Sequence, residues 1–145
     1  MRILGIDPGL ATLGYGVIDT ERGISTVVDY GVIETPKTES VPVRLHMIYD
    51  GLNDLFDQYK PDSVAIEELF FTKNITTGIN VAQARGVALL VCCDKCGAMF
   101  EYTPMQIKQA MTGYGKADKK QIQFMVTRLL RLKSIPKPDD AADAL

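Results

Sequence analysis

The sequence predicts an α/β fold, a mixed five-stranded sheet flanked by helices. Three observations point there. The chain opens with three successive runs of strand-like residues separated by turn signals, the remainder alternates helix-like and strand-like stretches, and neither an internal repeat nor a low-complexity tract interrupts its 145 residues. Antiparallel strands followed by helix–strand alternation give a mixed sheet rather than a purely doubly wound one.

Arg2 to Asp7 is an apolar run closed by Pro8-Gly9, and Gly14 to Thr20 follows after a short polar connection, so the two read as a β-hairpin. Ile24 to Ile33 is β-branched and Tyr-containing and makes a third antiparallel strand. Thr35 to Val41, with Pro36 and then Pro42, is a loop. From Val43 to Tyr59, Leu45, Ile48, Tyr49, Leu52, Leu55, Phe56 and Tyr59 recur at three- and four-residue spacing, the signature of a one-faced helix that Pro61 ends. Ser63 to Glu67 is a short strand emptying into a loop through Asn74, and Gly78 to Cys96 is helical with Gly97 as its C-cap. Ala98 to Tyr102 is the last strand. Thr103-Pro104 starts a short helix to Met111, Gly113 and Gly115 break it, and Asp118 with Gln121 forms a capping box for a helix to Leu132. A final helix-prone run begins after Pro136, Lys137 and Pro138.

A composition of 46% hydrophobic and 23% charged residues suits one globular domain over 1–145 and excludes a disordered chain. Met1 to Ile6 has no signal-peptide pattern, and no stretch is expected to supply the roughly 18 apolar residues that span a bilayer, so a cytoplasmic protein with no membrane partner is expected. Cys92, Cys93 and Cys96 are odd in number and cluster on one helix, which favours a reducing compartment over a disulfide framework. Cys93 and Cys96 have zinc-like spacing, but the only histidine, His46, lies on a different helix and leaves a four-ligand site without partners.

The net charge of −2 hides a segregation. From Lys108 to Lys137 eight basic residues stand against one acid, a net +7, so the rest of the chain must carry −9. Such a division can build a positive face for phosphates beside an acidic pocket for metal. The acids that matter are Asp7 and Glu67, each at the end of a strand, and Asp140 and Asp143, spaced i and i+3 on one face of the terminal helix. Carboxylates are hard oxygen ligands, and four of them can hold a pair of divalent ions suited to phosphodiester hydrolysis. Taken singly, each acid also has a bland role: Asp7 in a turn, Glu67 starting a loop, Asp140 capping a helix. Asp139, four residues before Asp143, could also face the metals or serve as the N-cap.

Gly5-Ile6-Asp7-Pro8-Gly9 with Gly14-Tyr15-Gly16-Val17, then Ala65-Ile66-Glu67, Gln83-Ala84-Arg85-Gly86-Val87 and Asp140-Ala141-Ala142-Asp143-Ala144-Leu145, resembles in order and spacing the RuvC-type Holliday-junction resolvases. The resemblance covers nearly the whole chain. It implies an RNase H-like fold, a homodimer, a catalytic and metal-holding quartet of Asp7, Glu67, Asp140 and Asp143, and two Mg²⁺ or Mn²⁺ ions per active site. It further implies paired nicking of four-way DNA junctions in recombination and repair, giving 5′-phosphate and 3′-hydroxyl ends, and coupling to a RuvA–RuvB-type branch-migration complex. Phe70 matches the aromatic that stacks at the crossover, and Lys108 and Lys119 match basic residues near the scissile phosphate. Lys73, Arg85, Lys116 and Lys120 are further candidates for backbone contacts. In the family the helix corresponding to Gly78 to Cys96 supplies much of the dimer contact. Members also extend the last helix beyond the position of Leu145, so a shortened C-terminal helix is expected here. An acid followed by a glycine turn also opens actin-like ATPases and sugar kinases, but those need a second lobe. RuvX-type RNA-processing nucleases share the fold, and the AIEE strand with the terminal DAAD favours the resolvase. A catalytically silent junction-binding module is the remaining alternative.

Overall fold

The computed structural model describes residues 1–69 and 74–145. Three strands come first: β1 (Arg2–Asp7), β2 (Thr12–Glu21) and β3 (Ile24–Glu34). They are followed by α1 (Val41–Tyr59), β4 (Ser63–Glu67), α2 (Ile75–Lys95) and β5 (Met99–Tyr102), and the chain closes with α3 (Pro104–Thr112), α4 (Lys119–Leu129) and α5 (Asp139–Ala144). The sheet runs β3-β2-β1-β4-β5, with β1–β2 and β2–β3 antiparallel and β1–β4 and β4–β5 parallel. This is the mixed five-stranded sheet that the pattern of runs predicts. Between β2 and β3 the chain reverses through Arg22 and Gly23, both with positive φ (50° and 79°), a two-residue turn whose twist suits a hairpin.

Alternation along the strands gives the sheet two unlike faces. One carries Leu4 and Ile6, Leu13 and Val17, Val64 and Ile66, all buried against Ile48, Leu52, Leu55 and Phe56 of α1 and Ala84, Ala88, Val91 and Cys92 of α2. Each fully buried aliphatic or aromatic side chain there contributes about 1.5–3 kcal/mol, so this layer is what holds the sheet. The opposite face is nearly bare: Gly5 pairs with Gly16 and with Ala65, and Asp7 pairs with Gly14. Into that space α5 settles. A Cβ on Gly5 would lie 2.0 Å from the Ala144 carbonyl oxygen, one on Gly14 2.0 Å from the Asp140 carbonyl oxygen, and one on Gly16 2.8 Å from Leu145 Cδ2. Six residues of isolated helix are unstable in water; α5 stands because Ala141, Ala142 and Ala144 are buried against this glycine floor. Ala117, Ile122 and Val126 form a smaller cluster with Met111, Leu130, Leu132 and Leu145, which braces α4 over the same face.

Several boundaries differ from the sequence expectation. Helix α1 begins at Val41 because Pro42 fits the first turn, where no amide hydrogen is needed. Helix α2 begins at Ile75, a turn before Gly78, because the Asn74 side chain accepts from the Thr77 amide. Its C-cap is Cys96 in extended conformation, not a left-handed Gly97. Helix α4 ends at Leu129 rather than Leu132, with Arg131 at positive φ. The N-cap of α5 is Pro138, not Asp139, which is already the first helical residue. Helix α2 also reaches a mean hydropathy of 1.3 over 18 residues, enough by length and composition to cross a membrane, where no such stretch was expected. Its run of Ala, Val, Leu and Cys produces that value, and the part of this run that faces the sheet is core.

Candidate active site

Asp7 and Glu67 end two adjacent parallel strands. Because Ile6 pairs with Ile66, the next residues emerge at the same level, on the face where α5 lies. Gly14, the partner of Asp7 across β1–β2, allows the Asp140 backbone to approach, and one turn on Asp143 joins from the same helix. The electrostatics register the gathering. Burial, then the charges of Glu67, Asp143 and Asp140, push the Asp7 carboxyl up to about 8. Glu67 is also raised, by burial first; a hydrogen bond from Asp7 and the charge of Lys108 pull it down, and Asp143 pushes it up. Asp7 and Glu67 thus share a hydrogen bond, and Asp143 acts on both carboxyls and Asp140 on Asp7.

Two lysines meet the cluster from the α3–α4 side. A cavity of about 250 Å³ is lined by Glu67, Asp143, Lys108 and Lys119 over Ile107 and Ile122. Lys119 Nζ donates to Asp143 Oδ2 at 3.1 Å and pairs with Asp139 Oδ2 at 3.2 Å. Desolvation works against the Lys119 charge, but the hydrogen bonds and charges of Asp143 and Asp139 outweigh it, so its pKa is raised. Asp139 therefore serves this ion pair, and Gln123 donates to it at 3.3 Å. Among the described residues no three His, Cys, Asp or Glu side chains already stand at ion-holding separation. The donor set nonetheless fits a divalent cation: hard oxygens, raised proton affinity that a cation would relieve, and an ammonium already drawn to Asp143.

Of the other sequence candidates, Phe70 and Lys73 lie outside the described residues. Lys116 is exposed in the α3–α4 connection. Lys120 lines a separate groove with Tyr114, Phe124 and Ile135, away from the acids. Arg85 is committed internally: its Nε donates to the Glu67 carbonyl oxygen at 3.2 Å and its Nη2 pairs with Glu101, which ties α2 to the ends of β4 and β5. Cys92 and Cys96 are buried, and burial, with Cys96 nearby, pushes the Cys92 thiol up to about 12. His46 pairs with Asp50 at 3.0 Å on the exposed side of α1. Sequence reasoning missed the floor: Gly5, Gly14 and Gly16 read as turn and strand residues. The available signal was that 14 and 16 share one strand face, which three glycines together strip of side chains.

The model of the family described as crossover junction endodeoxyribonuclease RuvC matches residues 3–145. The chain belongs to the RuvC family. It is 56% identical to the crossover junction endodeoxyribonuclease RuvC of Alkaliphilus oremlandii over all of this chain and 88% of that one, and 50% identical to that of Finegoldia magna with the same coverage. Among solved structures, Thermus thermophilus RuvC in complex with Holliday junction substrate superposes with a TM-score of 0.92 at 33% identity, over 99% of this chain and 88% of that one. The yeast mitochondrial Holliday junction resolvase Ydc2 shares the fold, with a TM-score of 0.68 at 15% identity over 98% of this chain and 75% of that one. The chain is thus an RNase H-like nuclease of the RuvC type, and the actin-like and RuvX-type readings fall away.

Proposed function

We propose that this RuvC-family endodeoxyribonuclease resolves four-way DNA junctions by metal-dependent phosphodiester hydrolysis at Asp7, Glu67, Asp140 and Asp143. The observation that carries the reading is the gathering of these acids on the glycine floor, where burial and neighbouring charge raise Asp7 and Glu67, with Lys108 and Lys119 beside them. The acids would hold Mg²⁺ or Mn²⁺, two ions per site. When bound, such ions activate water for attack and offset charge on the leaving 3′-oxygen, so the products are 5′-phosphate and 3′-hydroxyl ends.

The chain's own groups do the rest. Lys108, over the Glu67 end of the cavity, offsets charge developing on phosphoryl oxygens. Lys119 holds Asp143 in place and would set a positive charge beside a bound phosphate. Arg85, through the Glu67 carbonyl, fixes where the strand end sits. Lys116 and Lys120, and Phe70 and Lys73 by resemblance, extend the DNA-binding surface.

A homodimer would place two such sites for paired cuts. Ile79 and Leu90 on the outer side of α2 are 54% and 57% exposed, with Ala82 and Gly86 exposed between them, an apolar stripe with small residues that lets two helices approach. A single domain over 1–145, a cytoplasmic location and coupling to a RuvA–RuvB-type complex complete the proposal. The test is cleavage of a synthetic four-way junction and of a linear duplex of the same sequence, with Mg²⁺ and with EDTA. Nicking of the junction alone, and only with Mg²⁺, is expected; binding without cleavage under every metal condition would instead favour a silent junction-binding module.

A further inference from the structure

On the side of the acids away from Lys108 and Lys119 lies a cleft of about 550 Å³ lined by Thr12, Lys37, Arg44, Thr77, Asn80 and Asp140. It borders the active site, and Asp140 lines it. Val81 is shared between this cleft and the depression that holds Asp7 and Glu67, and Glu67 in turn is shared with the cavity of Lys108 and Lys119. The groove thus has acids at its centre and cations at both ends.

Arg44 is held in a way that fixes its direction and leaves its charge uncompensated. Its Nε donates to Thr35 Oγ1 at 2.8 Å, and that hydroxyl donates to the Leu10 carbonyl oxygen at 2.5 Å. Thr35 is only 5% exposed, and its amide donates to the Ala11 carbonyl oxygen at 3.0 Å, so the clamp belongs to the Pro8–Thr12 connection that follows Asp7. Arg2 and Arg85 are paired with Asp19 and Glu101. Among the described residues, no carboxylate lies within ion-pair distance of Arg44 or Lys37. A guanidinium anchored through Nε by a neutral hydroxyl presents its two terminal nitrogens as a fork, the geometry that takes a phosphate bidentately, and Lys37 adds a point charge.

We infer that Arg44 and Lys37 grip a backbone phosphodiester of the cleaved strand, on the side of the metal-holding acids opposite Lys108 and Lys119. The inference rests on the junction-resolving reading. The grip sets where the strand lies along the groove without reading its bases, and Thr35 couples that setting to the turn that carries Asp7.

The experiment measures affinity for a synthetic four-way junction in EDTA across a series of KCl concentrations, for the wild type, Lys37→Gln/Arg44→Gln and Arg44→Lys, with thermal unfolding as a fold control. Each lost phosphate contact flattens the log–log salt slope by about 0.9, so the double variant should lose about 0.9 for each protomer bound while Arg44→Lys, which keeps the charge, retains it. A scan of neutral methylphosphonate linkages through the cleaved strand should find one position that weakens the wild type and leaves the double variant unchanged. An unaltered slope in the double variant, or a methylphosphonate scan that finds no such position, overturns the subsite. If the wild type binds and nicks the junction while the subsite fails, the functional reading stands; a wild type that does not bind the junction overturns both.

Discussion

At the scale of single residues, the account turns on Asp7. Its carboxyl, raised from 3.8 to about 8, holds its proton more tightly folded than unfolded. The stability this proton brings is fully present below about pH 4 and is lost as pH rises through about 8. Without a divalent cation, the native state at neutral pH therefore carries a local electrostatic cost. Asp7→Asn removes the titrating group, so thermal unfolding in EDTA at pH 8 should occur several degrees higher than in the wild type, equivalent to about 1–2 kcal/mol, with the difference vanishing near pH 4. A variant no more stable than the wild type at pH 8 would contradict the clustering of charge. Lys119 makes the contrasting case. Its ion pairs are half-exposed and worth little to stability, so Lys119→Met should leave the unfolding temperature nearly unchanged while single-turnover cleavage falls about 10²-fold.

At the scale of elements, the decisive contact is a six-residue helix on bare strands. Gly14→Ala places a methyl group where the Asp140 carbonyl oxygen stands, so α5 must lift. The expected result is a loss of about 1–3 kcal/mol and of cleavage, with the sheet retained by circular dichroism; unchanged cleavage would mean that α5 sits elsewhere. The order and type of every element were legible in the sequence, because strand alternation and helical spacing in β1, β4 and α1 are strong and local. Boundaries were not. Asn74 starts α2 through one side-chain bond, and Pro138 takes the cap position of α5 that an aspartate at 139 suggested. The acids were legible individually and through their resemblance, whereas the glycine floor and the Thr35–Arg44 clamp join residues far apart in sequence and become visible only once the sheet is assembled.

For the whole molecule, the segregation of charge that the sequence showed has a partial spatial counterpart. Lys108 and Lys119 border the acids on one side, Lys37 and Arg44 line a cleft on the other, and Lys120 lies in a separate groove. The proposed function also calls for pairing of protomers through α2. Leu90→Arg puts a charge on its exposed apolar stripe without touching the core, so sedimentation should report monomers, and coordinated cuts on a junction should give way to isolated nicks. A variant that stays dimeric and still cuts in pairs would assign the interface to another face.

In the proposed function, acids from three distant stretches form one metal-dependent cutting centre for branched DNA. Strand-mapped cleavage of a four-way junction in Mg²⁺, comparing the wild type with Asp7→Asn at matched junction binding, tests it most directly. Paired nicks with 5′-phosphate and 3′-hydroxyl ends are expected from the wild type and none from Asp7→Asn, although both bind. Undiminished nicking by Asp7→Asn would contradict it.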